Sequence, residues 1–193
     1  MKRFSTKLLG WYALHKRALP WRQTKDPYVV WLSEIMLQQT RVAQGLPYFE
    51  RFWNDFPTVH DLAKASEDAV LKRWQGLGYY SRARNLHKAA KLVSEQYNGN
   101  FPSTFEELIK LPGVGPYTAS AIASICFDQV CAVVDGNVYR VLARHFDIDS
   151  PINQPAGIKT FQALAQTLID SKAPGAYNPV SYTHLTLPTI RGV

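Results

Sequence analysis

One stretch constrains the fold of this 193-residue chain more than any other: Leu111-Pro-Gly-Val-Gly115, which lies between two apolar segments. Gly113 and Gly115 allow a backbone with positive φ, and Pro116 suits the first turn of a helix, where its missing N–H has no role. The pattern predicts a helix–turn–helix hairpin over about 108–127, with N–H groups of the turn pointing outward as a nest for a phosphate oxygen. An ordinary packing corner between two helices accounts for the same glycines, so this stretch alone leaves both interpretations open.

A carboxylate follows the hairpin at the start of another predicted helix. The sequence there reads Val-Val-Asp-Gly-Asn-Val-Tyr-Arg, and Asp135 sits at the start of the predicted helix. A backbone grip for phosphate followed by a carboxylate is typical of enzymes that act on nucleic acids. This second motif therefore favours the functional interpretation of the hairpin.

Composition narrows the class of protein. The net charge is +7, from 22 Lys and Arg against 15 Asp and Glu, which suits a polyanionic partner. Only two cysteines occur, Cys126 and Cys131, which excludes a disulfide framework or a four-cysteine metal site built from this chain. With no run of about 18 apolar residues and no signal-peptide core, we expect a cytoplasmic, nucleoid-associated protein without a membrane span.

Helical periodicity accounts for nearly every segment before residue 175, and no stretch alternates as a strand does. The expected fold class is therefore all-α. The predicted long helices cover 4–16, 29–43, 46–56, 81–96 and 156–169. Shorter helices are predicted to begin at caps formed by Thr58, Ser66 and Thr104.

Glu34 lies in the middle of the apolar segment 29–43. A buried carboxyl without a cationic partner has a raised pKa, and a Glu that keeps its proton near neutral pH can act as a general acid. A Glu that reaches a salt bridge at the rim of the core is the plainer interpretation. Gln38, Gln39 and Thr40 follow on the same predicted helix end, and this polar cluster favours contact with bases.

Two pairs of neighbouring residues, each with an aromatic side chain, also have two interpretations each. Trp21 and Arg22 are, from these residues alone, best explained as an aromatic anchor and a surface cation, although together they can hold a flat base. Tyr79 and Tyr80 follow a Gly-flanked turn and belong either to the core or to a wedge that enters a duplex.

Taken together, the motifs resemble those of adenine DNA glycosylases of the helix-hairpin-helix, endonuclease III-like superfamily, over residues 9–178. They are Leu-Pro-Trp-Arg22, Trp-Leu-Ser-Glu-Ile-Met-Leu-Gln-Gln-Thr40, Gly-Leu-Gly-Tyr-Tyr-Ser-Arg-Ala-Arg-Asn85, Leu-Pro-Gly-Val-Gly115 and Val-Asp-Gly-Asn-Val-Tyr-Arg140. The resemblance implies two helical subdomains with a DNA cleft between them. Residues 20–127 would form a six-helix subdomain that contains the hairpin, and 1–19 with 128–178 would form the second, with an incomplete iron–sulfur region.

The resemblance also implies a role for each candidate residue. Glu34 matches the acid that protonates a flipped adenine at N7, and Asp135 matches the carboxylate that stabilises the sugar oxocarbenium ion. Asn137 and Tyr117 match helpers at the sugar and phosphate. The implied contacts to the bases are Trp21, Arg22 and Leu37 around the adenine, Gln38 and Tyr79 as wedges, and Gln39 and Thr40 beside the opposing purine. The implied contacts to the DNA backbone are Leu111, Gly113, Val114 and Gly115, with a monovalent cation at the hairpin.

The implied activity is removal of adenine mispaired with 8-oxoguanine or guanine in double-stranded DNA, by a monomer that extrudes the base. Bifunctional relatives carry a Lys in the second hairpin helix, and this chain has none between Lys110 and Lys159. The resemblance therefore implies base excision without an efficient lyase step. The alternatives are a non-catalytic helix-hairpin-helix DNA-binding module and another endonuclease III-like mismatch glycosylase.

The chain departs from the family pattern toward its C-terminus. The four cysteines that hold a [4Fe–4S] cluster in the family are absent, Pro179 replaces a polar or acidic residue that helps to read adenine, and the C-terminal domain that recognises 8-oxoguanine does not follow. The segment 179–193 looks non-native: from Val180 on it has no acidic residue and no helical periodicity, and resembles translated adapter sequence. We expect a shortened form of a longer protein, with weak or no activity of its own.

Overall fold

The computed structural model describes residues 2–183, and it describes the side chains of residues 4–178. Within this part of the chain all regular structure is helical, which confirms the predicted all-α class. The helices are α1 (Lys2–His15), a 3-10 helix (Pro20–Arg22), α2 (Pro27–Met36), α3 (Val42–Asp55), α4 (Val59–Lys64), α5 (Glu67–Trp74), α6 (Tyr80–Gln96), α7 (Phe105–Leu108), α8 (Pro116–Phe127), α9 (Gly136–Phe146), α10 (Pro155–Leu168) and α11 (Pro174–Thr183). None of these described helices has both the length and the apolar character needed to cross a bilayer.

The chain divides into two compact units. The hairpin unit comprises residues 19–127 and contains α2 to α8. The terminal unit comprises the segment up to residue 18 together with the chain from residue 128 onward, and contains α1 and α9 to α11.

Helix α2 forms the centre of the hairpin unit. The Asp26 carboxylate accepts the Tyr28 N–H, and a proline at the first helical position completes the helix start. Trp31, Leu32 and Met36 are fully buried, where α2 packs against α3, α6 and α8. The prediction that this helix is largely buried is confirmed.

The predicted extent of this helix, 29–43, is wrong. Helix α2 ends at Met36, Gln39 adopts a left-handed backbone with φ of 56°, and a new helix begins at Val42. The reason is tertiary: the Arg82 guanidinium of α6 takes up carbonyls at the end of α2, which removes the need for the helix to continue.

The predicted caps give two correct results and one error. Thr58 forms a capping box with Asp61, and the Ser66 hydroxyl accepts the Ala69 N–H, as expected. Thr104 stands at the N-cap position of α7, but its hydroxyl accepts no backbone N–H there; it donates to the Glu107 carboxylate at 3.1 Å. The cap residue is therefore correct and the capping hydrogen bond is not formed.

The terminal unit packs its four helices around one apolar cluster. Its most buried members are Leu142, Phe161 and Leu168, and α1 contributes the buried Leu8. The buried Ser5 hydroxyl donates to the Leu168 carbonyl at 2.5 Å and fixes α1 against α10.

Helix α11 is the last helix of the described part of the chain. It continues to Thr183, so residues 180–183 are helical although their sequence shows no helical periodicity. Extending an existing helix costs far less than starting one, so a regular apolar pattern is not required there. Residues 184–193 lie outside the described part of the chain.

Candidate functional site

Glu34 interrupts an otherwise buried helix. Its neighbours Ser33 and Ile35 are 1% and 3% exposed, whereas Glu34 itself is half-buried. The carboxyl therefore reaches the edge of the buried helix and is not enclosed by the core. Its raised pKa stays a prediction.

The polar side chains that follow Glu34 lie on a turn and not on a helix end as predicted. Gln38 donates from Nε2 to the Thr118 hydroxyl of α8 at 3.4 Å, and the Thr40 hydroxyl donates to the Gln38 carbonyl at 3.3 Å. Gln39 is exposed. The turn thus presents one amide to solvent while it holds the other beside α8.

Trp21 is part of the core of the hairpin unit. It is 6% exposed and its ring meets that of Phe49 edge to face, with centroids 4.8 Å apart. This is the aromatic anchor of the plainer interpretation. Arg22 and Leu37 are half-buried, and Leu37 packs so closely on Gly45 of α3 that a Cβ there would lie 2.6 Å from Leu37 Cδ2.

The turn before α6 exposes both of its tyrosines. Gly76 and Gly78 have φ of 102° and 70°, and Tyr79 itself is left-handed with φ of 48°. Tyr79 is 67% exposed and Tyr80 is 40% exposed, so the interpretation that they belong to the core is wrong. The Trp74 indole N–H donates to the Gly78 carbonyl at 3.0 Å and secures the turn.

The hairpin between α7 and α8 uses its glycines unequally. Gly113 has φ of 77°, and a Cβ there would lie 2.8 Å from Asn85 Cβ on α6. Gly115 does not have a positive φ, and a Cβ there would meet nothing within 4 Å. The expectation that both positions use a positive φ is therefore correct only for the first, because close packing on α6 forces the chain to reverse there.

The outward-pointing nest is also smaller than predicted. Leu111 and Val114 have buried side chains, and the Val114 N–H donates to the Leu111 carbonyl at 3.0 Å. That N–H closes the turn and does not face a ligand. Gly113 is exposed and Gly115 half-exposed, so these residues carry the accessible backbone of the turn, with the half-buried Tyr117 in the first turn of α8.

Asp135 lies at the start of α9, as predicted, and the structure makes it the N-cap of that helix. Its carboxylate accepts the N–H groups of Asn137 and Val138 at 3.0 and 2.8 Å, and the Asn137 side-chain amide at 3.2 Å. Asn137 in turn accepts from the Arg140 guanidinium at 3.0 Å. Burial raises the pKa of Asp135 above its ordinary value, although these hydrogen bonds oppose the rise.

Two amide side chains that sequence reasoning missed fix the extended segment before Asp135. Asn178 of α11 is fully buried, accepts the Val133 N–H at 3.0 Å and donates to the Cys131 carbonyl at 2.8 Å. Gln166 of α10 accepts the Ala132 N–H at 3.0 Å. They replace the partners that a neighbouring strand would supply, and no local pattern in the sequence reveals them.

Arg82 is a second feature that the sequence did not reveal. Its guanidinium donates to backbone carbonyls at the end of α2 and in the turn before α6. An arginine on an amphipathic helix normally indicates a solvated face. The only available signal was its place in the motif shared with the resembled family.

The described residues do not fit an iron–sulfur cluster. They contain no group of three or more His, Cys, Asp or Glu side chains placed to hold a metal ion. The two cysteines of the sequence form no disulfide and belong to different units, whereas a [4Fe–4S] cluster takes four thiolates.

Comparisons with known proteins agree with this architecture. A family model described as "HhH-GPD superfamily base excision DNA repair protein" matches residues 32–166. Among curated proteins, the chain is 47% identical to the adenine DNA glycosylase of Rattus norvegicus and 46% identical to that of Homo sapiens, with 91% of this chain covered in each case. The adenine DNA glycosylase of Buchnera aphidicola subsp. Schizaphis graminum is 45% identical over the same share. The matched parts are 36%, 34% and 51% of those relatives, so the chain spans between a third and about half of their length.

Solved structures show the same fold. A thermostable thymine-DNA glycosylase superposes with a TM-score of 0.83 at 29% identity, covering 93% of this chain and 82% of that one. Endonuclease III in a non-covalent DNA complex superposes with a TM-score of 0.75 at 21% identity, over 93% of this chain and 82% of that one. The predicted helix-hairpin-helix glycosylase fold is thereby confirmed.

Proposed function

Because this chain belongs to the HhH-GPD superfamily of base excision DNA repair proteins, we propose that its activity is the removal of adenine from a mispair in duplex DNA. The observation that carries the proposal is the 45–47% identity to adenine DNA glycosylases over 91% of the chain. Glu34 and Asp135 both lie within the part that matches the family model. The substrate is adenine opposite 8-oxoguanine or guanine.

The two carboxyl groups have different tasks in this proposal. Glu34 protonates the departing adenine at N7, and its half-buried place on an otherwise buried helix supports the role because the carboxyl stays within reach of a base. Asp135, in its ionised form, stabilises the positive charge that develops on the sugar as the glycosidic bond breaks. Asn137 holds the Asp135 carboxylate through its amide, and Tyr117 assists at the sugar and phosphate.

The base must leave the helical stack before either group can act. Gln38 and Tyr79 enter the duplex where the adenine leaves, and the exposure of Tyr79 supports this role. Gln39 and Thr40 lie beside the opposing purine. Arg22 and Leu37 contact the extruded base, and Trp21, buried against Phe49, anchors the segment that carries Arg22.

Backbone contacts supply affinity without selecting the base. The exposed glycine backbone of the Leu111–Gly115 turn approaches a phosphate, and its carbonyls hold a monovalent cation. A net charge of +7 suits DNA as partner, and the protein acts as a monomer in the cytoplasm, at the nucleoid. With no Lys in α8, the reaction is hydrolysis of the glycosidic bond without efficient strand scission. Treatment with borohydride therefore yields no robust covalent complex with DNA.

The test is release of adenine from duplexes that contain A:8-oxoguanine, A:guanine or thymine:guanine, with protein in excess so that slow turnover is visible. We expect adenine release by the wild-type chain from the two adenine mispairs. Glu34→Gln, which cannot donate the proton, lowers the rate by about 10²–10⁴-fold. Asp135→Asn, which retains a good N-cap, lowers the rate by about 10²-fold or more.

The alternatives are separated by the same assay. Equal, undetectable release by wild type and both variants, with DNA binding retained, identifies a non-catalytic binding module. Release of thymine instead of adenine identifies a mismatch glycosylase like the thymine-DNA glycosylase whose structure the chain resembles.

A further inference from the structure

Arg82, on the first turn of α6, holds two separate turns of the hairpin unit. Its Nη1 donates to the carbonyls of Ile35 and Met36 at 3.2 and 3.3 Å and to that of Gln38. Its Nη2 donates to the Leu77 carbonyl at 3.4 Å. One guanidinium therefore ties the turn that ends α2 to the turn that precedes α6.

The same side chain also touches the aromatic rings around the second turn. The guanidinium carbon lies 5.5 Å from the ring centroids of both Trp74 and Tyr79, within the range of a cation–π contact. Tyr79 is otherwise exposed, so this contact limits where its ring can lie.

Both turns contain a residue in an unfavourable backbone conformation. Gln39 has φ of 56° and Tyr79 has φ of 48°, and neither is a glycine. Such residues persist only where the surroundings determine the backbone fully, and they concentrate at functional sites. Arg82 supplies that constraint for both turns at once.

We propose that Arg82 is a positioning residue that locks the turns bearing Gln38 and Tyr79 into one rigid wedge before DNA arrives. This inference rests on the proposed function, which places both side chains in the duplex. A wedge that is already ordered loses less conformational entropy on binding. More of the contact energy is therefore available to extrude the base. A lysine cannot replace the arginine, because an ammonium group lacks the planar fork that reaches carbonyls on both sides.

The first test compares Arg82→Lys with wild type on two duplexes. One contains an A:8-oxoguanine mispair, and the other contains an abasic-site analogue, from which no base has to be extruded. We expect the affinity of Arg82→Lys for the mispaired duplex to fall by about tenfold, as when two side chains must be ordered on binding, with a clearly smaller loss on the abasic duplex. An equal loss on both duplexes overturns the proposal.

Arg84→Lys is the matched control. Arg84 lies on the same helix, is exposed and pairs with Glu67 at 3.3 Å. Its replacement by lysine should change neither affinity, and thermal unfolding of both variants shows how much of each is folded. A discrimination loss in Arg84→Lys equal to that in Arg82→Lys overturns the proposal, since the effect then follows the loss of any guanidinium on α6 and not the contacts that Arg82 makes.

The second test reads the turns directly by amide hydrogen exchange. In wild type without DNA, the hydrogen-bonded amides of Leu37, Thr40 and Leu77 should already be protected, and Arg82→Lys should lose protection in both turns together. If the variant does not fold, the exchange of wild type alone tests the proposal. Protection of the two turns that appears in wild type only when DNA is added overturns it.

The two hypotheses fail in different ways. If the wild type releases no adenine but both turns are protected and the two duplexes are discriminated through Arg82, then the proposed function fails and the rigid wedge stands. If adenine is released while either turn exchanges freely in the absence of DNA, then the wedge fails and the proposed function stands.

Discussion

The two units of the molecule present their candidate functional groups by different means. In the hairpin unit several of these groups lie on turns between helices, and side chains of α6 fix those turns: Arg82 at Gln38 and Tyr79, and Asn85 against Gly113. In the terminal unit Asp135 caps a helix, and its carboxylate is fixed by the next three residues.

The difference matters for how each group responds to mutation. A carboxylate held by the N–H groups of its own helix keeps its place as long as the helix forms. A side chain on a turn with positive φ depends on every element that packs around the turn. Three expected results follow from this contrast, beginning with the largest effect.

Gly113→Ala should destabilise the hairpin unit. A left-handed backbone costs an alanine about 1–2 kcal/mol, and its Cβ would lie 2.8 Å from Asn85 Cβ, so the cost rises further as α6 shifts. Chemical denaturation measures the change in the free energy of unfolding.

Gly115→Ala is the matched control for that measurement. Its Cβ enters open space without a positive φ, so we expect a change in stability within about 0.5 kcal/mol. Its affinity for duplex DNA should nevertheless fall, because the added methyl stands where a phosphate approaches the backbone. An unchanged affinity contradicts the proposed backbone contact at this residue.

Asp135→Ala should cost about 1 kcal/mol of stability, the usual value of an N-cap, because Asn137 and Val138 lose the acceptor of their N–H groups. Asp135→Asn keeps an acceptor and should be as stable as wild type at neutral pH. If both variants unfold at the same temperature, the cap does not hold the helix and the contrast between the units is wrong.

The smallest expected effect is on the pH dependence of stability. The pKa of Asp135 is raised in the folded protein by burial, so the folded state binds this proton more tightly than the unfolded state. Its contribution to stability is therefore fully present below the unfolded pKa, near 3.8, and is lost as pH rises through the folded pKa.

Asp135→Asn does not titrate at this position. The stability of this variant minus that of wild type should therefore increase as pH rises through this interval. Thermal unfolding of both proteins between about pH 3.5 and about pH 7, a range that brackets the usual carboxyl pKa, measures the difference. A difference that shrinks as pH rises contradicts a raised pKa. In the proposed reaction, base release by wild type falls as pH drops through the same pKa, since the ionised carboxylate stabilises the sugar cation.

Much of the fold could be predicted from local patterns. The capping box at Thr58, the cap at Ser66 and the N-cap at Asp135 each involve partners within three residues, so a short window of sequence contains the whole interaction. The burial of α2 followed from its apolar composition. The end of that helix could not be predicted, because the bonds that end it come from Arg82, which lies 44–47 residues away.

The sequence by itself determined the helical class and most helix starts, because periodicity and capping act over a few residues. It also indicated Glu34 and Asp135 as the two candidate carboxyl groups. Only the tertiary structure decided that Trp21 is buried on Phe49, that Gly113 and not Gly115 needs its glycine, and that Arg82 ties two turns together. These outcomes depend on which distant atoms compete for the same space and the same carbonyls, and the packing of the folded chain settles that competition.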